Sequence, residues 1–323
     1  AVPARASMPR LVSIGTHPTT SLYGTYGVGL SGFLTRQLGI EVRHLPTNGP
    51  VVWVPMMERG EVDLGIANAY DVQTAYLGTQ DFEPLSRGRG FALRLVANTA
   101  PNIIGVLVPG DSGIRTGQDL RGRRYVLTVT GSGGITMQAR GFLANFGLSP
   151  SDVVAVSVPS IGAALQAVME GRADATSISI DVPAIRELQA RRGALFLAAQ
   201  TSPEAVEAFR QFFPPAYPLE VNPDPPLPGV RPGTPLIAYD TYLVARADLA
   251  DEVVYRVLQA LWEKGSELVA VHPRFRDWRR EEFLTARALV PYHPGAVRFF
   301  RERGLWTSQF DELQARLLRQ RQG

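Results

Sequence analysis

The sequence predicts an α/β protein with two βαβ-based lobes, a cleft between them and two crossover strands joining them. Three observations carry this. A pattern of strand, polar loop, helix, strand, polar turn, helix, strand runs through residues 11–68 and recurs over 124–179. The helix-to-strand joints of the two runs are alike, MERGEVD at 57–63 and MEGRAD at 169–174. Two apolar stretches, around 98–102 and 236–240, read as strands that leave one sheet and enter another. Each βαβαβ unit implies parallel strands with right-handed crossovers. The chain then divides into a discontinuous domain I, residues 1–100 plus 238–323, and domain II, residues 101–237.

Residues 1–10 read as a loose terminus. LVSI at 11–14 is a short apolar run of the kind that forms a buried strand. The loop GTHPTTS at 15–21 follows, then a helix over 23–38. IEVRHL at 40–45 is the second strand and PTNG at 46–49 its turn; a short helix then ends at Arg59. VDLGIA at 62–67 is the third strand, ending at Asn68. Asp71 stands where a helix N-cap is favoured, so it caps or touches a ligand. The apolar run at 91–98 is broken by TAPN at 99–102 and resumes as IIGVLV at 103–108, the first crossover. DSGIRTGQDLRG at 111–122 reads as a turn and short helix.

The second run begins with YVLTV at 125–129, the loop TGSGG at 130–134 and a helix over 135–146. VVAVSV at 153–158, the turn PSIG at 159–162, a helix ending at Glu170 and the strand ADATSIS at 173–179 complete it. Asp181 occupies the place matching Asp71, with Pro183 in the first helical turn. Residues 201–235 are expected to be irregular but ordered, because of their dense prolines. LIAYDTYLVAR at 236–246 is the second crossover. Asp248 or Asp251 caps an amphipathic helix carrying Val253, Val254, Val257, Leu258, Leu261 and Trp262 at helical spacing. His293 and Pro294 open another helix that stops at Gly304.

A chain of 323 residues, 45% hydrophobic, is long enough for two globular domains. No stretch approaches the ~20 apolar residues of a membrane span. The net charge is +3, and of 33 basic residues only Lys264 is lysine. The arginines are scattered, with no phosphate-binding stripe, which argues against nucleic acid as a partner. Cysteine is absent, excluding disulfides, thiolate metal sites and thiol nucleophiles. The start AVPARAS reads as an exported chain whose signal peptide has been removed; a truncated chain is the alternative.

Ligands of open α/β sheets lie beyond the carboxyl ends of the strands. Here those ends are four polar turns, each leading into a helix whose first N–H groups have no helical acceptor. Such termini favour an anion. Thr16, Thr19, Thr20 and Ser21 serve the first turn, Thr47 and Asn48 the second, Thr130 and Ser132 the third, Ser160 the fourth. TGSGG is neither a P-loop nor a complete dinucleotide fingerprint. His17, His44, His272 and His293 include no pair at helical metal-ligand spacing, and a His–Ser pair in GTHPTTS lacks a third group. Neither an enzyme nor a cofactor is therefore expected. His17 is either a ligand contact or a solvated loop residue; the other histidines read as structural. Glu58, Asp63, Glu170 and Asp174 recur at helix-to-strand joints and read as turn geometry.

Several pieces resemble the TAXI class of solute-binding proteins of TRAP transporters: SIGTHPTTSLYGTYG, PTNG with MERGEVDLGIAN, DSGIRTGQDLRGRR with TGSGG, YDTYLVAR, and VPYHPGAVRFFRERGLW. The resemblance covers about residues 11–306. It implies the two-lobed, type II-like fold of periplasmic binding proteins. It also implies a periplasmic protein that captures a small carboxylate, such as glutamate or a 2-oxoacid, and delivers it to TRAP permease subunits. A signalling kinase as partner, or an enzyme on the same fold, are the alternatives. The resemblance places ligand contacts at Thr16, His17, Thr20, Ser21, Tyr23, Thr47, Asn48, Gly49, Asn68, Thr130, Gly131, Ser132, Gly133, Ser177 and Ser179. The chain departs from it at His17-Pro18 and at PVVWVP, residues 50–55. There Trp53 either lines the pocket or packs on the sheet.

Overall fold

The computed structural model describes residues 8–19, 21–130 and 133–321, in two compact units: unit 1 holds Ala1–Pro101 and Asp240–Gly323, unit 2 holds Asn102–Tyr239. Unit 1 opens with β1 (Leu11–Thr16), α1 (Leu22–Leu38), β2 (Glu41–Pro46), α2 (Pro50–Glu58), β3 (Leu64–Asn68) and α3 (Ala69–Leu77). The short α4 (Glu83–Ser86) and the long β4 (Leu93–Pro109) follow. Unit 2 continues with β5 (Arg124–Val129), α5 (Gly133–Asn145), β6 (Val154–Val158), α6 (Ile161–Met169), β7 (Ala175–Ser179) and α7 (Ile185–Arg192). It adds β8 (Ala194–Phe196), α8 (Pro203–Arg210), β9 (Tyr217–Val221) and the start of β10 (Thr234–Arg246). Unit 1 closes with α9 (Asp251–Lys264), α10 (Pro294–Glu302) and α11 (Ser308–Arg319).

The two units repeat one topology. In unit 1 the strand order is β2-β1-β3-β10, with β1 parallel to both neighbours and β10 antiparallel to β3. In unit 2 the order is β6-β5-β7-β4, with β5 parallel to both neighbours and β4 antiparallel to β7. The like joints do like work. Asp63 Oδ2 accepts from the Ser13 amide at 2.9 Å, and Asp174 Oδ2 accepts from the Arg124 amide at 2.8 Å, each pair 50 residues apart. Each aspartate also binds an arginine, Arg246 in unit 1 and Arg124 in unit 2. Each unit has its own apolar core: Ile14, Leu30, Ile66, Val257 and Phe299 belong to the first, Leu107, Val126, Leu165 and Phe196 to the second.

Five local expectations are corrected. TAPN does not break the apolar run, since β4 is one strand of 17 residues. The φ fixed by Pro101 is compatible with extended backbone, so proline costs a donor there and not the strand. Residues 201–235 contain α8, capped by Ser202, and β9, whose Pro218 is tolerated because, among the described residues, that strand pairs only with β10. Asp71 is not the cap of α3: Asn68 is, and Asp71 lies in the first turn. Asp181 does not open a helix, since α7 begins at Ile185. Neither Asp248 nor Asp251 is the N-cap of α9; Ala250 is, Asp251 is the first helical residue and Asp248 pairs with Arg246 at 2.7 Å.

Candidate functional site

In unit 1 the carboxyl ends of β1, β2 and β3 lead into α1, α2 and α3, and the first two of these turns are tied together. The Thr47 amide and hydroxyl both donate to the Thr16 carbonyl at 3.0 Å, fastening the second turn to the first. The Thr47 hydroxyl also accepts from the Gly49 amide at 3.1 Å. Gly49 is the N-cap of α2 at φ 127°, a conformation that side-chain-bearing residues rarely hold. A Cβ there would also come 3.3 Å from His17 Nε2. Ser21 caps α1, accepting from the Gly24 amide at 3.0 Å and donating to the Pro18 carbonyl at 2.7 Å. Asn68 caps α3, accepting from the Asp71 amide at 2.8 Å while its own amide donates to Asp71 Oδ2 at 2.7 Å.

Most of the expected hydroxyls are therefore already engaged within the fold. Thr16 is fully buried; its hydroxyl donates to the His17 carbonyl and lies 2.6 Å from His44 Nε2. The Ser21 proton goes to Pro18, so His17 and Ser21 do not form a dyad. Polar capacity remains in the first amides of α1 and α3. Pro50 removes one donor from α2. His17 adds to this capacity. Its ring stacks on Tyr23 with centroids 4.8 Å apart, and its Nδ1 is shut off from solvent with no hydrogen-bond partner among the described residues. Burial lowers the His17 pKa to about 4, so the ring is neutral at neutral pH. The segments 15–21, 46–49 and 68–70 contain no lysine or arginine. Trp53 is wholly buried and packs on the sheet: a Cβ at Gly15 or Gly65 would fall within 2.8 or 2.4 Å of it. The packing alternative is the one realised.

In unit 2 the Thr130 amide donates to the Val158 carbonyl at 3.0 Å, and Ser160 caps α6 through the Ala163 amide. Thr130 and Gly133 are exposed. Ser177 is buried and hydrogen-bonds the Tyr125 hydroxyl, so it supports the sheet. Ser179 is half-buried, its hydroxyl within 2.7 Å of Asn102 Oδ1 and 2.8 Å of Asp181 Oδ1. Asn102 in turn donates to the Tyr239 hydroxyl. Sequence reasoning found Ser179 but missed its partners: Asn102 falls in the TAPN stretch read as a break, and Tyr239 reads as an ordinary member of an apolar strand. Thr20, Gly131 and Ser132 lie outside the described residues.

Comparison with solved structures gives the fold. The chain is similar to the periplasmic aliphatic sulphonate binding protein SsuA from Escherichia coli, with TM-score 0.52 and 15% identity, over 94% of this chain and 97% of that one. It is also similar to PhnD1 from Prochlorococcus marinus in complex with methylphosphonate, with TM-score 0.55 and 13% identity, over 93% and 100% of the two chains. The mixed α/β, two-lobe fold of periplasmic binding proteins expected from the repeated units is thus the fold of this chain. The sequence profile of the NMT1-like family matches residues 14–304, and the chain belongs to that family.

Proposed function

We propose that the protein is an extracytoplasmic solute-binding protein of the TAXI class. It holds a small organic carboxylate or amino acid at the polar turns and delivers it to a TRAP-type permease. The observation that carries this reading is the first turn of unit 1. There a neutral His17 Nδ1, without a partner among the described residues, lies beside helix N-termini, with no cationic side chain in the turns. Neutral donors and helix amides match a single negative charge spread over two oxygens. As its Nδ1–H tautomer, His17 donates to such an oxygen once the turn opens to admit the ligand, because Nδ1 has no solvent access in this conformation. Thr130 and Gly133 of unit 2, both exposed, supply the second recognition surface in this reading. The engaged hydroxyls of Thr16, Ser21, Thr47 and Asn68's amide then act by holding the turns in shape, not by touching the ligand. The SsuA and PhnD1 likenesses support a binding role on this fold, their own ligands being theirs alone.

Native mass spectrometry of the protein purified without added ligand identifies what it carries. A thermal-shift screen of carboxylates, amines and sugars tests the class. A strong shift from a sugar with none from any acid refutes the carboxylate assignment. Failure to associate with a TRAP permease in reconstituted vesicles refutes the transport assignment.

A further inference from the structure

Away from the polar turns, unit 1 has a cavity of about 630 Å³ at the far end of α3, lined by Tyr76, Arg89, Arg94 and Arg321 among others. The Arg94 guanidinium stands 6.0 Å over the Tyr76 ring and donates to the Leu93 carbonyl. Arg321 donates to the carbonyls of Arg89 and Gly90, and Arg89 to that of Ser86. Among the described residues none of the three arginines is paired with a carboxylate, and no acidic residue lines the cavity. A solvated arginine face accounts for Arg89 and Arg321. It does not account for Arg94, which is half-buried with one backbone acceptor for five N–H donors. Burial lowers its pKa from the usual arginine value, and the Arg321 charge adds to the lowering. A cation so placed gains from a counter-charge.

The cavity is also held in shape without a ligand. The Phe91 amide donates to the Ala75 carbonyl at 2.9 Å and the Gly90 amide to the Ser86 hydroxyl at 3.2 Å, pinning the Arg89 loop to the end of α3. The Tyr76 hydroxyl donates to the Leu317 carbonyl at 2.9 Å, pinning the floor to α11. The guanidinium forks are therefore largely pre-positioned, which lowers the ordering cost of binding.

We propose that this cavity is a second binding site, for a doubly charged tetrahedral oxyanion of the phosphate type, with Arg94 as its anchor. Arginine's planar fork binds two oxygens of such a group at once, and three forks around one cavity suit a charge of about two better than one.

Inorganic phosphate titrated by calorimetry at low, matched ionic strength tests the site, with acetate as the single-charge comparison. Saturable phosphate binding is expected in the wild type. It should weaken at least about tenfold in Arg94→Gln, the scale of one lost charge-assisted contact. Arg321→Gln, which also removes the two hydrogen bonds to the Arg89 and Gly90 carbonyls, should weaken it as well, and circular dichroism checks that both variants fold. Absence of saturable binding overturns the proposal. So does equal binding of acetate and phosphate, which marks an ion atmosphere, or wild-type affinity in both folded variants.

Discussion

Asp71 makes a quantitative test of how burial competes with a helix dipole. It lies in the first turn of α3, beside the Asn68 cap. Burial raises its pKa from 3.8 to about 6, against the Asn68 hydrogen bond and with a smaller push from Asp81. Between those two values the folded chain binds a proton that the unfolded chain releases. The stability Asp71 contributes is therefore complete below 3.8 and lost as pH rises through about 6. Two units at 1.36 kcal/mol each bound the effect at roughly 3 kcal/mol. Asp71 keeps part of its surface in water, so about 1–2 kcal/mol is the reasonable expectation. Asp71→Asn keeps an acceptor for Asn68 and removes the charge. At pH 7.5 it should melt about 2–6 °C above the wild type, and the gap should close by pH 4. His17 and His293, both lowered to about 4 by burial, tilt stability the other way over pH 4–6.5, but they do so in both proteins and cancel in the difference. Differential scanning calorimetry across that range reads it. A constant gap at all pH values, or a less stable variant at pH 7.5, refutes the reasoning.

Trp53→Ala should cost about 3–5 kcal/mol in urea unfolding, because a fully buried indole leaves a cavity over Gly15 and Gly65 that those glycines cannot fill; a loss under about 1.5 kcal/mol would mean that the sheet surface collapses onto the gap. His17→Phe keeps the ring on Tyr23 and deletes both nitrogens, so carboxylate affinity should fall about tenfold. With a wild-type pKa of about 4, His17 itself should give ligand affinity no pH dependence above pH 5.5, and a binding midpoint near 6.5 that the variant abolishes would contradict its buried, neutral state.

The doubling of the fold was legible because strand-to-helix periodicity and the joint sequences both repeat, down to the aspartates that bind a strand amide 50 residues back. The turns were legible as polar, but not the direction of their hydrogen bonds. Whether Thr16, Ser21 and Thr47 face a ligand or brace the backbone depends on rotamers and on which carbonyls the fold brings near. Trp53 was undecided for the same reason: only the paired strands reveal that Gly15 and Gly65 lie side by side beneath it. TAPN misled because a proline signals a break unless the strand around it is held by long-range pairing, as β4 is by β7 and β8 farther along. The arginine cavity had no sequence signature at all, since Arg94 and Arg321 are 227 positions apart and meet only after α11 docks beside α3.

The two ends of α3 carry opposite electrostatic demands. Its nine residues span about 13 Å at the usual rise. At the N-terminus, partial positive charge meets a carboxylate that burial keeps easy to protonate, so desolvation outweighs both the dipole and the Asn68 hydrogen bond. At the C-terminus, partial negative charge meets arginines whose cationic form the dipole helps to sustain without a carboxylate. A dipole is worth about 0.3–1 kcal/mol at such a place, too little to match a full counter-ion. This leaves room at the C-terminal end for a bound anion to add stability. At the N-terminal end a second negative charge is welcome only where it lies over the helix amides and away from Asp71, which favours the His17 side of the turns for the carboxylate of the proposed ligand.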